Sequence, residues 1–364
     1  MRAFIFLNIF TNLCLYYCNM SYAQSDIEFS VEASAYSEPI PIDAFTDDWQ
    51  TSRLKTGDHA FAHGRVQLAY QWANIQYALF WRYDYLMSFS PDAAKLYYQY
   101  ANDRIPSNNQ HYALYIDAQQ LESLGFFIGR SSVLSPQWTL FYGLNLLKGR
   151  HMLDGTFSGS AQTQSGTTLR DTAQRLMAHL NYIYDQPQLG EEELGWMPDQ
   201  PTGLGASVDL RLVGQINPAW SVDFKLQDLF GNMRWDDAPM TDYRLRYDVE
   251  TRPSYDIEGK LSADQVFWQK IPWQATALVQ FKPINLPKTF ADIKVHANAV
   301  STQYQLGIYQ QINQQTLGMI VEPQTKAIGV VVRHPSFTFS YLTDRLNTNQ
   351  AHREQLVLSA NYAW

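Results

Sequence analysis

The feature that most constrains this chain is its carboxyl end, where Gln355-Leu-Val-Leu-Ser-Ala-Asn-Tyr-Ala-Trp364 alternates with period two to the last residue. Leu356, Leu358, Ala360, Tyr362 and Trp364 project to one side of an extended chain, and Gln355, Ser359 and Asn361 to the other. A strand that finishes on an aromatic residue has no following turn to shield it, so its edge must pair with another strand. That requirement predicts a sheet closed on itself.

At the other end, Arg2 is the only charge before Asp26, residues 3–17 are largely apolar, and Ser21-Tyr22-Ala23 places small residues where a signal peptidase reads. Residues 1–23 are therefore expected to be a cleaved signal peptide, their apolar stretch being too short to span a membrane as a helix. Tyr16 and Tyr17 before Cys18 argue against a lipid anchor. Both cysteines, Cys14 and Cys18, fall in this segment, so the expected mature chain has no disulfide framework or thiolate metal site.

A net charge of −8 without a basic patch excludes nucleic acid as a partner. Mean hydropathy is −0.31. Beyond residue 23 no window approaches the length of apolar residues that a helical membrane span needs. Aromatic residues nevertheless make up 14% of the chain, with 23 Tyr and 10 Trp. They gather near strand ends at Trp72, Trp81, Tyr83, Trp138, Trp220, Trp273, Tyr341 and Trp364, as in the interfacial girdles of membrane barrels.

Alternation resumes throughout the chain. Residues 27–36 form a first strand, and residues 65–72 and 75–89 form a hairpin about Ala73-Asn74. Pairing about that turn sets Trp72 opposite Ile75, Tyr70 opposite Tyr77, Leu68 opposite Leu79 and Val66 opposite Trp81 on one broad apolar face. The other face carries Gln71, Gln76, Ala69, Ala78, Arg82 and Asp84. A second hairpin about Asn217-Pro218 is expected to pair Leu210 with Phe224, Arg211 with Asp223 and Asp209 with Lys225. Residues 168–185 could be a strand or an amphipathic helix, with Leu169, Ala173, Leu176, Leu180 and Tyr184 closer to helical spacing. From Ala275 onward short strands follow one another as an antiparallel meander.

These readings predict an all-β fold: a transmembrane antiparallel up-and-down β-barrel of about 14 to 18 strands, with 16 favoured and an even number required if both ends face the periplasm. Residues 24–364 form a single domain with long loops near 37–58, 90–109, 186–202 and 230–273. A soluble sandwich would show the same alternation, but strand number, strand length and the absence of a linker favour the barrel. Closure satisfies every backbone group in lipid.

Catalytic, cofactor and metal sites are not expected. No Gly-x-Ser-x-Gly occurs, and Gly155-Thr-Phe-Ser158-Gly159 reads as a strand end. His59 and His63, on one face of a strand, stand too far apart for one metal. The expected lumen-lining residues are Arg82, Asp84, Asp209, Arg211, Asp223, Lys225, Lys294 and His296, with Arg333 beside them. Fixed charges of both signs there would either dress a pore or lock a filled one. In the second case residues 37–58 or 230–273 are the candidate plug.

The terminal pattern of Leu356, Leu358, Ala360, Tyr362 and Trp364 resembles the last strand of Gram-negative outer-membrane β-barrels. The resemblance implies export to the outer membrane, recognition of that strand by the barrel-insertion machinery, outer-membrane lipid as surroundings and a small solute as cargo. It implies a non-enzymatic channel or solute-binding protein, or alternatively a closed barrel in a cell-envelope assembly. The layout is also similar to fatty-acid-transporter-type barrels. Their Asn-Pro-Ala motif lies in an N-terminal hatch, whereas here Asn217-Pro218-Ala219 lies mid-chain and residues 24–60 are too few for such a hatch.

Overall fold

The computed structural model describes residues 25–47, 49–51 and 53–363. The expected signal peptide and Trp364 lie outside the described residues. One antiparallel sheet contains β1 (Ser25–Ser37), β2 (His59–Trp72), β3 (Ile75–Phe89), β4 (His111–Ser135), β5 (Trp138–Thr163), β6 (Ala173–Tyr184), β7 (Thr202–Asn217), β8 (Trp220–Asp248), β9 (Arg252–Lys270), β10 (Gln274–Phe281), β11 (Thr289–Ala297), β12 (Thr302–Ile312), β13 (Gln315–Glu322), β14 (Ala327–His334), β15 (Phe337–Thr343) and β16 (Arg353–Ala363).

The terminal strand closes the sheet. β16 pairs with β1 from Tyr36↔Arg353 to Asp26↔Ala363, so Leu356, Leu358, Ala360 and Tyr362 lie opposite Ala33, Val31, Phe29 and Ile27. At the other seam β10 pairs with the first part of β8, Phe281 opposite Trp220. Fourteen strands complete the ring, with β6 and β9 as additions to it. β6 continues the line of β7 along β5, and β9 continues the line of β10 along β8. Each of these two staves is interrupted once, at 185–201 and 271–273.

The first hairpin has the register its side-chain pattern predicts, from Trp72↔Ile75 through Val66↔Trp81. Ala73 makes the two-residue turn by adopting φ +54. The second hairpin keeps the expected faces but is displaced by two residues: Leu210 faces Leu226 and Arg211 faces Lys225. Three register shifts along β7–β8 absorb residues that a regular hairpin count cannot foresee.

One open choice is settled and one expectation corrected. Residues 173–184 are strand β6, preceded by one helical turn at Leu169–Thr172. Residues 230–273, expected as a loop and candidate plug, belong mostly to β8 and β9. Their charges do not alternate cleanly with apolar residues because this part of the wall rises beyond the apolar belt: β8 has 29 residues, β13 only 8. At about 3.3 Å per residue β8 far exceeds a bilayer's apolar thickness.

Around the ring the outward face is apolar and exposed. Leu68, Leu79, Ile308, Met319 and Ile328 are 52–68% accessible. Trp72 and Trp220 stand at the short-turn end, Trp220 packed against Phe281 at 4.6 Å. Such a belt is stable against lipid tails and not against water.

The second candidate plug is also corrected. Residues 37–58 contain α1 (Ile42–Thr46), whose Ala44 and Phe45 pack with Trp49 against Ala60, Met87 and Phe89 on the outer side of the wall. α2 (Pro91–Ala101) begins at Ser90, whose side chain accepts from the Ala93 amide at 3.1 Å, with Pro91 in the first turn where no donor is lost. Its Ala93 and Leu96 cover Tyr112 and Leu114 of β4. Both helices thus buttress the extended wall from outside.

Candidate functional site: the barrel interior

Residues alternate with the apolar belt to fill the inside. Phe80, Leu121, Leu147, Met152, Met233, Trp235 and Ile271 form a buried apolar cluster. Trp235 fits because Gly149 and Gly203 leave room: a Cβ at either would collide with the indole ring. Its Nε1 donates to Gln269 at 3.1 Å.

Against this cluster lies a buried ionic network. The Arg82 guanidinium, 1% exposed, donates from Nε to Asp84 Oδ2 at 2.7 Å and lies 2.6 Å from the same oxygen through Nη2. Its Nη1 stands 2.7 Å from Asp228 Oδ1. Ser207 donates to the same Asp228 oxygen at 2.7 Å, and Asn145 donates to Ser207 at 3.1 Å. His63 Nδ1 lies 2.7 Å from Asp84 Oδ1, and Arg65 stacks 3.9 Å above the Phe80 ring. Asp228 has φ +60 at the point where β8 changes neighbours, which turns its carboxylate toward Arg82.

Toward the loop-bearing end a second lock joins four strands. Arg353 of β16 donates to Glu322 of β13 at 2.9 and 3.3 Å, and to Ser34 of β1 at 2.7 Å. Gln305 of β12 donates to Glu322 at 2.9 Å. Both charges are essentially inaccessible.

The remaining interior is charged and accessible. Arg211 donates to Asp223 at 2.9 and 2.5 Å, the two side chains being 49% and 25% exposed. Arg211 pairs in register with Lys225, Lys225 with Thr276, and Thr276 with His296, whose Nδ1 is 3.1 Å from the threonine hydroxyl. Asp209 accepts from the Asp228 amide at 2.9 Å. Lys294 has Glu32 and Asp292 as its acidic neighbours. Glu32 itself is exposed although its register places it beside Arg65. At the short-turn mouth a cavity of about 610 Å³ is lined by Asp26, Glu28, Gln71, Gln76 and Asn361.

All eight sequence-selected residues thus lie on the face opposite the belt, but in different settings. Arg82 and Asp84 are buried, Arg211 is exposed and Asp223 partly so, and Asp209, Lys225, Lys294 and His296 are half-buried. Arg333 also lies on this face, its guanidinium 4.7 Å over the Tyr309 ring. Asp228, Arg353 and Glu322 were not selected. Asp228 falls where the strand pattern breaks, and the other two pair only through the closed ring.

His59 and His63 go to separate partners. His59 Nδ1 lies 2.7 Å from Asp58 and 3.4 Å from Glu38. These three form a group whose ligand atoms lie within 4.8 Å of one another, a gathering that depends on Glu38 rather than on the second histidine. His151 pairs with Asp185 at 2.7 Å and His179 with Asp242 at 3.0 Å. Among the described residues no serine hydroxyl is hydrogen-bonded to any of these imidazoles.

No protein-family model and no curated protein matches the sequence. Among solved structures the chain is similar to the CymD monoaromatic hydrocarbon channel, with 9% identity and a TM-score of 0.40 over 94% of this chain and 88% of that one. The toluene transporter TodX of P. putida aligns with 10% identity and a TM-score of 0.40, over 93% and 88%. The outer membrane protease OmpT of Escherichia coli aligns with 8% identity and a TM-score of 0.24, over 95% and 99%. The fold itself is a closed antiparallel β-barrel of 14 strands with two added strands.

Proposed function

We propose that this chain is an outer-membrane barrel, exported with a signal peptide and inserted through β16, that admits small polar solutes to a charged lumen. The observation that carries the reading is that charged side chains inside a closed ring remain accessible. Buried charges that only lock a fold are dry and paired, as Arg82 and Arg353 are, whereas Arg211, Asp223 and Glu32 meet solvent. Opposed Arg/Lys and Asp/Glu across a wet lumen set a transverse field through which ions and polar solutes pass. Asp26 and Glu28 at the short-turn mouth favour cations there.

The filled interior narrows the path without needing a separate plug domain. Phe80, Trp235 and the Arg82 network reach across to Ser207 of β7 and Asp228 of β8, and His63 of β2 meets Gln274 of β10 at 2.8 Å, so a solute has to pass beside these contacts. Single-channel recording of the refolded protein in a planar bilayer tests the reading: steady conductance steps are expected, with cation preference reduced in Glu28→Gln. A silent bilayer containing inserted, folded barrel would overturn it.

A further inference from the structure

The β1–β2 connection leaves the wall at Glu38 and rejoins it at Asp58-His59, and the register Ser37↔Ala60 brings those two ends together. The Glu38 amide donates to the His59 carbonyl at 3.3 Å, and its carboxylate Oε2 accepts from the Asp58 amide at 3.0 Å. Gly57 permits this approach, because a Cβ there would collide with the Glu38 side chain. The Tyr36 hydroxyl donates to Glu38 Oε1 at 3.5 Å, and the Tyr36 ring stands 5.4 Å from that of His59. Backbone and aromatic contacts thus hold one imidazole beside two carboxylates: His59 Nδ1 lies 2.7 Å from Asp58 Oδ1 and 3.4 Å from Glu38 Oε2.

We infer that Glu38, Asp58 and His59 form a zinc-binding site at the loop-bearing rim. Ligand atoms around tetrahedral zinc, bound at about 2.0–2.2 Å, stand about 3.3–3.6 Å apart. The Glu38–His59 spacing already matches, and Asp58, its side chain 69% exposed, reaches the same spacing by turning about its own bonds. That open side leaves a fourth position to water. An imidazole nitrogen with two carboxylate oxygens suits zinc, whereas magnesium and calcium take oxygen ligands. In the ion-free ring a proton on Nδ1 serves Asp58 but not Glu38. Zinc at Nδ1 is shared by all three groups and leaves the ring proton on Nε2. That nitrogen is buried with no hydrogen-bond partner among the described residues, so the site lacks the supporting acceptor of a closed structural centre and holds an exchangeable ion. Because its ligands come from both ends of residues 38–58, the ion clasps that segment where it meets the wall. The inference does not depend on whether the lumen conducts.

Calorimetric titration of zinc chloride into the refolded full-length protein, in detergent micelles and without a polyhistidine tag, tests the site. Saturable binding is expected, and a large excess of magnesium should leave it unchanged. His59→Ala and Glu38→Gln should each weaken the binding at least about tenfold. His111→Ala, at an exposed histidine on β4, should not weaken it at all. Circular dichroism establishes that each variant is folded, and the near-isosteric Glu38→Gln serves if His59→Ala is not. Absence of saturable zinc binding by the wild-type protein would overturn the inference. So would wild-type affinity in folded Glu38→Gln, equal loss in His111→Ala, or displacement of zinc by magnesium, which would mean that carboxylate charge alone attracts the ion.

Discussion

Arg82 of β3 and Asp228 of β8 meet at 2.7 Å through the barrel interior although their strands share no edge. The contact ties the first part of the sheet to the place where β8 changes partners. Truncating Arg82 to alanine removes the guanidinium that Asp84 and Asp228 share in the interior, leaving them only His63 and Arg65 nearby, a loss of about 3–5 kcal/mol. Replacing Arg82, Asp84 and Asp228 together by neutral residues of similar volume should cost much less. Urea unfolding in micelles, followed by tryptophan fluorescence, measures both, and an Arg82→Ala barrel as stable as wild type would refute the assignment.

The same contact shows where sequence reading reaches its limit. Period-two alternation determined which face of each strand points to lipid, and so placed Arg82, Arg211 and Lys294 inside together. Alternation is local, however, and Arg82–Asp228 and Arg353–Glu322 exist only once the ring has closed. The β8–β9 region misread as loop illustrates a second limit: above the belt neither face meets lipid, so the alternation that marks a strand disappears while the backbone ladder persists. The two-residue slip in the β7–β8 register has its cause in bulges, which leave no mark in composition.

Ala73 occupies a left-handed conformation, φ +54, in the exposed turn between β2 and β3. An L-residue with a Cβ pays about 1 kcal/mol there, which glycine avoids and asparagine reduces. Ala73→Gly should therefore stabilise the barrel by up to about 1 kcal/mol, less the extra entropy glycine gives the unfolded chain. An urea midpoint shifted downward in Ala73→Gly would contradict this account.

Trp235 fills the interior over two glycines, and Gly203 is the more conservative place to test it. Alanine at 203 puts a methyl group into the indole ring, so the ring must move and its donation to Gln269 must lengthen or break. Overpacking of this kind costs about 1–3 kcal/mol. A red-shifted emission component, absent when Trp235→Phe is added, is the expected signature. Unchanged emission and stability would mean the cluster has slack that its burial does not suggest.

His352 supplies a pH dependence outside the membrane-spanning strands. Its Nδ1 lies 2.8 Å from the Ser37 carbonyl, so the neutral ring donates there and ties the β15–β16 connection to the end of β1. Burial lowers its pKa from the ordinary value of 6.5, and the hydrogen bond to Ser37 opposes that shift without cancelling it. The folded imidazole is then harder to protonate than the unfolded one, and the unfolded chain binds more protons in acid. This group's effect on stability is therefore nil above the unfolded value and becomes destabilising as pH falls from about 6.5 toward the folded pKa. Unfolding free energies at pH 7.5 and 5.0 should differ more in wild type than in His352→Gln, where nothing titrates. An equal pH slope in the two proteins would show that this imidazole does not govern the response.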